Sequence, residues 1–408
     1  MSHVSSLSPD GRQSHKTIGT AETGHVPSAP LTVRRISGQE YRTLAERTSD
    51  IDLRCLYQEP DWLDAYLTAI APARPLEPAY YAVEAHGELA GLLPLALESG
   101  PAKLRRLTFL GWNRANQNQG LWNRARLSAL DGGILLAALR GLSREAGADL
   151  IHLPNMPGQF ADAPNPLLGG HHLPSPSPVF KGDLNAPFEE LLRKGLGKDG
   201  RKKLLRKKRA LEEAGGYRIV TASSPEEIER GLQAFLQQRD IRCRETGIPN
   251  AFCEAPDQDF LRRLLESGTG TDTQLRVFWL ETAGAIRATY ICAWRQGCLT
   301  GYANSIAQDE MMAHSPGVVL LMDIVEMACS DPEITAIDLG LGDERYKHAW
   351  SSPEPLFDVL EALSLKGRGL LMATEAKQAL KARIRASKTL WPLVRRLRKW
   401  KAMRGQAA

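Results

Sequence analysis

The fifteen residues Val83–Leu97 (VEAHGELAGLLPLAL) lie over Leu280–Trp294 (LETAGAIRATYICAW) without a gap, matching Glu84 to Glu281, Gly87 to Gly284 and Ala96 to Ala293. Each segment alternates up to its glycine and away from it, the pattern of a β-hairpin that turns there. Downstream of the first hairpin, Gly133-Ile-Leu-Leu opens an apolar helix that leads to a strand at Asp149–Leu153. Downstream of the second, Gly317-Val-Val-Leu-Leu opens another that leads to a strand at Ile334–Leu339. Hairpin, long connection, helix and strand thus recur about 190 residues apart, and few topologies place those elements in that order. The expectation is a duplicated α+β unit, and 408 residues leave room for two copies and little else.

The flanks do not share the pattern. Residues 1–30 are rich in Ser, Gly, Pro and Thr without hydrophobic periodicity, which predicts a disordered leader, with structure beginning near Leu31. After Glu375 come eleven Lys/Arg and no acid; subtracting those eleven from the net +5 leaves −6 on residues 1–376. The body is acidic and the tail carries the basicity. In Leu390–Met403 basic residues alternate with Leu390, Leu393, Val394, Leu397 and Trp400, an amphipathic pattern that suits an anionic membrane surface or packing on the body. The expected division is a leader (1–30), an N-terminal module (31–175), a C-terminal module (176–370) and a basic helical tail (371–408). No stretch reaches the roughly 20 apolar residues of a membrane span and the N-terminus lacks an apolar signal core. These features predict a cytoplasmic protein with peripheral contact at the inner membrane surface through the tail. Six cysteines form no CxxC pair and no zinc-ligand rhythm with the nine histidines, so reduced structural thiols and no metal are expected.

Between the halves, Pro154–Pro178 is rich in Pro, Gly and His, has no periodicity, and reads as a linker or exposed loop. Beyond it, Lys198–Arg209 places eight Lys/Arg on a helix whose apolar stripe is Leu204, Leu205 and Leu211. Its charged sides face solvent, or meet an anionic acceptor, coenzyme phosphates, nucleic acid or lipid headgroups. Leu275–Ile306 reads as a three-stranded meander broken at Gly284 and Gly297.

Two stretches carry candidate chemistry. Ser315-Pro316-Gly317 starts a helix directly after the meander, where free backbone N–H groups and a missing side chain suit an anion, or simply a helix start with Ser315 as cap. In the second, the strand around Asp338 runs through Gly340 and Gly342 into Asp343, Glu344, Arg345, Tyr346, Lys347 and His348. Ionisable groups at a strand end are a common form of catalytic loop, and equally of a solvated turn. Two glycines without a third and a following helix do not make a dinucleotide fingerprint.

The order of Pro60-x-Trp62-Leu63, Gly91-Leu-Leu-Pro94-Leu, the basic helix Arg201–Arg209, His314-Ser315-Pro316-Gly317 and Asp338-x-Gly340-x-Gly342-Asp343-Glu344-x-Tyr346-Lys347-x-x-Trp350 resembles the CelD/BcsL-type acetyltransferases of the GNAT superfamily. Those are similar to Fem-type aminoacyl ligases, which carry two GNAT-like modules. The resemblance covers about residues 31–370. It implies an α+β fold of two tandem GNAT-like modules with mixed, mostly antiparallel sheets. It also implies an acyl-CoA-dependent N- or O-acyltransferase with acetyl-CoA or another acyl-CoA as co-substrate. The acceptor it implies is a small molecule or glycan, a sugar or a polysaccharide or cell-envelope precursor. By the same resemblance His314, Ser315, Gly317 and Val318 would bind coenzyme A, although the superfamily's Arg/Gln-x-x-Gly-x-Gly/Ala loop is absent. Tyr346-Lys347 is similar to a Phe-Lys element of Fem-type proteins whose lysine faces the acceptor. Transfer from a thioester needs a base, an oxyanion donor and an acid for the thiolate. Asp343 or Glu344 fits the first role, Lys347 the second, and Tyr346 or Tyr302 the third. The rivals are a Fem-like aminoacyl-tRNA-dependent transferase, a non-catalytic GNAT-like scaffold, and a nucleic-acid-binding protein. The last is disfavoured by the acidic body and by the lack of a zinc finger or RNP-type aromatic pair.

Overall fold

The computed structural model describes residues 31–373 apart from 48, 161–162, 267–274 and 296. The leader and the amphipathic part of the tail lie outside the described residues.

The first half opens with β1 (Leu31–Ile36), α1 (Gly38–Arg47) and α2 (Pro60–Ala69), followed by β2 (Leu76–Ala85), β3 (Glu88–Ser99) and β4 (Arg105–Phe109). These four strands lie side by side, each antiparallel to the next. Helix α3 (Gly132–Glu145) then carries the chain to β5 (Leu150–Pro157), which pairs parallel with β4. The second half begins with β6 (Val179–Asp183), α4 (Phe188–Gly195), α5 (Lys198–Glu213) and β7 (Tyr217–Thr221). After α6 (Pro225–Thr246) and α7 (Ala255–Glu266) come the meander strands β8 (Leu275–Thr282), β9 (Ala285–Arg295) and β10 (Cys298–Ile306). Helix α8 (Pro316–Cys329) leads to β11 (Ala336–Leu341), which pairs parallel with β10. The order β7-β8-β9-β10-β11 repeats β1-β2-β3-β4-β5.

The repeat extends to backbone detail. His86 and Gly87 turn the first hairpin at φ 55° and 78°; Ala283 and Gly284 turn the second at 50° and 75°. Two successive left-handed residues give a turn whose twist matches the strands it joins. The register slips between Val83 and Glu84 in one hairpin and between Leu280 and Glu281 in the other, positions that coincide in the sequence overlay.

Both modules place an antiparallel strand outside the parallel pair. In the second it is β6, beside β11; in the first it is β12 (Leu356–Ala362), beside β5. Leu356–Ala362, which a division at residue 176 groups with the second module, therefore completes the other sheet. Two further expectations are corrected. Pro154–Pro178 is not an exposed linker: β5 runs to Pro157, Met156, Phe160 and Leu167 are buried, and the Asn165 amide bonds the Pro157 carbonyl and the Leu167 N–H. In α5, Leu204 and Leu211 are buried, but Leu205 is 44% exposed and so is not part of the buried stripe. The helix is pinned to α8 by Lys208 to Asp323, 3.2 Å.

The halves share a core. Trp62 of α2 packs edge-on to Phe260 of α7, with centroids 5.3 Å apart, in a buried cluster that reaches Tyr41, Ile51, Val277 and Trp279. Residues 31–175 expressed alone lack β12 and leave both this core and an edge of β5 uncovered. Such a fragment is expected to show no cooperative thermal transition by circular dichroism, whereas a sharp transition would show that the first module folds without the chain's far end.

Candidate functional site

Strands β10 and β11 pair at Cys298–Ala336, Leu299–Ile337 and Thr300–Asp338, and the pairing ends there although both strands continue. Past that point a cavity of about 540 Å³ is lined by Gly301–Asn304 of β10 and by Leu339 and Leu341 of β11. Backbone groups released from a ladder need other partners. The Gly301 carbonyl accepts from Asn116 Nδ2 at 3.3 Å, and the Gly340 N–H donates to Asp338 Oδ1 at 2.8 Å. Lys347 Nζ donates to the carbonyls of Gly340 (3.3 Å), Leu341 (2.6 Å) and Gly342 (3.1 Å). Gly340 is required twice over: its φ is +71°, and a Cβ would stand 2.5 Å from Asn116 Nδ2.

A second irregularity lies within β10. Its register against β9 slips between Cys292–Gly301 and Ile291–Ala303, leaving Tyr302 without a cross-strand partner. Such a bulge takes one residue out of the ladder and aims its backbone elsewhere.

Of the residues singled out in the sequence, Tyr302, Glu344, Tyr346 and Lys347 line the cavity together. The Tyr302 ring stands edge-on to Trp62, 5.0 Å away, and burial raises its pKa. Tyr346 Oη accepts from Asn304 Nδ2 at 3.0 Å and shares a hydrogen bond with Tyr290; burial holds its proton above the ordinary tyrosine range. Asp343 is not part of the lining; its carboxylate turns to His348 Nε2 at 2.5 Å, on an exposed surface. Lys347 departs from expectation. Its side chain is 3% exposed, and its three N–H groups meet three carbonyls and Glu344 Oε2 at 2.8 Å, so no donor is left over for an oxyanion. It holds the end of β11 in place.

His314, Ser315, Gly317 and Val318 stand at the start of α8, outside the lining but against it: a Cβ on Gly317 would fall 2.8 Å from Ile306 Cδ1, and Ile306 is a wall of the cavity. Close helix–strand packing therefore explains the glycine. Ser315, at φ +53°, does not cap the helix with its side chain; its Oγ accepts from Lys207 Nζ of α5 at 2.8 Å. Lys207 thus stands at the start of α8, where Val318 and Val319 donate to the Ser315 carbonyl and the Gly317 N–H is the first of the helix, a position suited to a phosphate. Among the described residues no group of three or more His, Cys, Asp or Glu could hold a metal ion.

Sequence reasoning missed Asn116, Arg239 and Arg242, which also line the cavity. The amide-rich run Asn113–Gln119 was the visible signal for the first, and two arginines three apart on α6 were the signal for the others.

Lys347→Met is expected to lower unfolding stability by about 2–3 kcal/mol in urea titration, because it strands buried carbonyls. Unchanged stability with a large loss of turnover would instead return the lysine to a direct chemical role.

Residues 198–348 match the family model described as "Acetyltransferase (GNAT) domain". No curated protein matches the chain in sequence. In fold it is similar to FemX, at 12% identity over 80% of this chain and 96% of that one, with a TM-score of 0.55. Weaker likenesses include the C-terminal (DUF2156) domain of a putative lysylphosphatidylglycerol synthetase from Agrobacterium fabrum, with 14% identity over 83% and 96% of the two chains and a TM-score of 0.49. Another is a tandem GNAT protein from the clavulanic acid biosynthesis pathway, with 13% identity over 82% and 99% and a TM-score of 0.44. Residues 198–348 thus resemble a GNAT acetyltransferase domain, within a chain whose two halves repeat one α+β unit.

Proposed function

We propose that the second module transfers an acyl group from an acyl-CoA, acetyl-CoA first among them, to an amine or hydroxyl of a sugar or cell-envelope polysaccharide precursor. The observation that carries this reading is the opening between β10 and β11, where the Tyr302 bulge, Glu344 and Tyr346 meet in one cavity beside the start of α8. The corresponding end of the first module's parallel pair is bridged. There Asn118 fills the place beside β5, donating to the carbonyls of Asn155 (2.9 Å) and Pro154 (3.0 Å), and Asp131 caps α3 through the Ile134 N–H. A carboxylate already sits where an anion would bind.

A thioester is activated, so the protein's work is alignment and proton management. Glu344 takes the proton of the attacking nitrogen or oxygen as its bond to the acyl carbon forms. The Tyr302 backbone N–H, at the bulge, would face the developing oxyanion. As the C–S bond breaks, Tyr346 gives its proton to the leaving thiolate; its raised pKa keeps that proton available. The Gly317 N–H, Ser315 and Lys207 would hold the coenzyme's pyrophosphate, with His314 and Val318 beside them.

The fold likeness to FemX supports a second reading, transfer from an aminoacyl-tRNA, through the same cavity. Coenzyme A release from acetyl-CoA, screened over amino sugars and nucleotide sugars, separates the two. Glu344→Gln and Tyr346→Phe should each lower turnover by about 10²-fold in folded protein, while Asp343→Ala stays within about twofold. Inactivity with every acyl-CoA, together with turnover of charged tRNA, overturns the first reading in favour of the second.

A further inference from the structure

Helix α6 closes one side of the cavity with two cations that no carboxylate answers. Arg239 and Arg242 are three apart and so share a face of α6, and both line the cavity. The Arg239 guanidinium lies over the rings of Phe235 (5.7 Å) and Phe252 (5.4 Å). It donates to the Asn304 carbonyl at 3.2 Å and to Asn250 Oδ1 at 3.5 Å. The neighbouring acids are engaged elsewhere: Asp240 accepts from Asn250 Nδ2 at 2.6 Å, and Glu344 pairs with Lys347. Among the described residues neither arginine has a carboxylate within ion-pair distance, and the Arg242 side chain makes no hydrogen bond.

Burial, followed by the charge of Arg242, depresses the pKa of Arg239, the mark of a cation short of compensation. Other half-buried arginines of this chain are answered: Arg106 by Glu98 at 2.5 Å, Arg287 by Asp309 at 2.6 Å. Ile248 and Met312, each 47% exposed, border the same opening, so the two guanidiniums line a partly apolar cavity that an anion can enter from solvent.

We propose that the acceptor carries an oxyanion, a carboxylate or a phosphate ester, and that Arg239 and Arg242 bind it inside the cavity that holds Glu344 and Tyr346. The proposal rests on reading this cavity as the transfer site, and adds the charged handle by which the acceptor is recognised. A guanidinium presents a planar fork of donors that matches both oxyanions, and two of them fix the orientation of the group they hold. The remainder of the acceptor, including its nucleophile, then lies toward the Tyr302 bulge.

Isothermal titration with glucose 6-phosphate, glucuronate and glucose tests this directly and needs no turnover. At least one of the two anionic sugars is expected to bind about tenfold or more tighter than glucose, and whichever it is separates phosphate from carboxylate. Arg242→Gln should remove that preference and Arg242→Lys should keep part of it, with folding of both confirmed by circular dichroism. Equal affinity for all three sugars, no binding of either anion, or an undiminished preference in Arg242→Gln overturns the proposal. Acetyl-CoA titrated into the wild-type protein is read separately: its failure to bind overturns the donor assignment and leaves the anion preference standing.

Discussion

A parallel strand pair that stops pairing after a few residues leaves backbone donors and acceptors that something else must satisfy. Both modules contain such a pair, formed at Arg106–Leu150 and Leu107–Ile151 in the first and at three positions in the second. How each resolves that demand sets the rest of the architecture. In the first module the chain answers from within the gap: the Asn118 amide and backbone bond the Pro154 and Asn155 carbonyls, and Asp358 of β12 accepts from the Asn155 N–H at 2.8 Å. In the second module the partners stand to the side, Lys347 on one flank and Asn116 on the other, and the space between the strands stays open.

The same loop serves both solutions. Asn118 is fixed inside the first module, also accepting from Gln58 Nε2 at 3.2 Å, while its neighbours reach across: Asn116 to Gly301, Gln117 to Asp338 at 2.8 Å. Asp338 is buried, and burial raises its pKa against the pull of Lys181. The clasp therefore needs the modules held in one relative position. The shared aromatic cluster supplies that, as do buried charges: Glu59, 2% exposed, is held by Arg54 of its own module at 2.5 Å and by Arg295 of the other at 3.5 Å. Removing one partner of a buried pair costs about 3–5 kcal/mol, so the interface tolerates little drift.

The parts of this arrangement that were legible in the sequence are those written in local chemistry. The hairpins, their turns and the helix after each long connection follow from glycine placement and apolar period, whereas nothing in either segment names the register slip that the two hairpins share. The cluster after Gly342 was visible as ionisable groups at a strand end. What was not visible depends on how each side chain is directed in the fold. That Lys347 is spent on carbonyls, that Asp343 leaves for His348, and that Arg239 lacks an acid are facts about neighbours 5 to 65 residues away. The assignment of Leu356–Ala362 to the first sheet is more remote still, about 200 residues from its partner strand, and no local pattern distinguishes the two sheets it could join.

Duplication gives two copies of one strand-pair opening, and in the first copy the released carbonyls are bridged. Plugging the spare opening with apolar side chains would have satisfied the core but not the released carbonyls of β5, which require donors. An amide-rich segment meets that need, and a segment long enough to cross the gap ends near the second module, where its next amides find the Gly301 carbonyl and the Asp338 carboxylate. The polar run Asn113–Gln119 is thus accounted for by Asn118 bonds within the first module and by Asn116 and Gln117 bonds to the second. The cavity of the second module is bounded on that side by a residue of the first, which ties the shape of the open copy to the closure of the other.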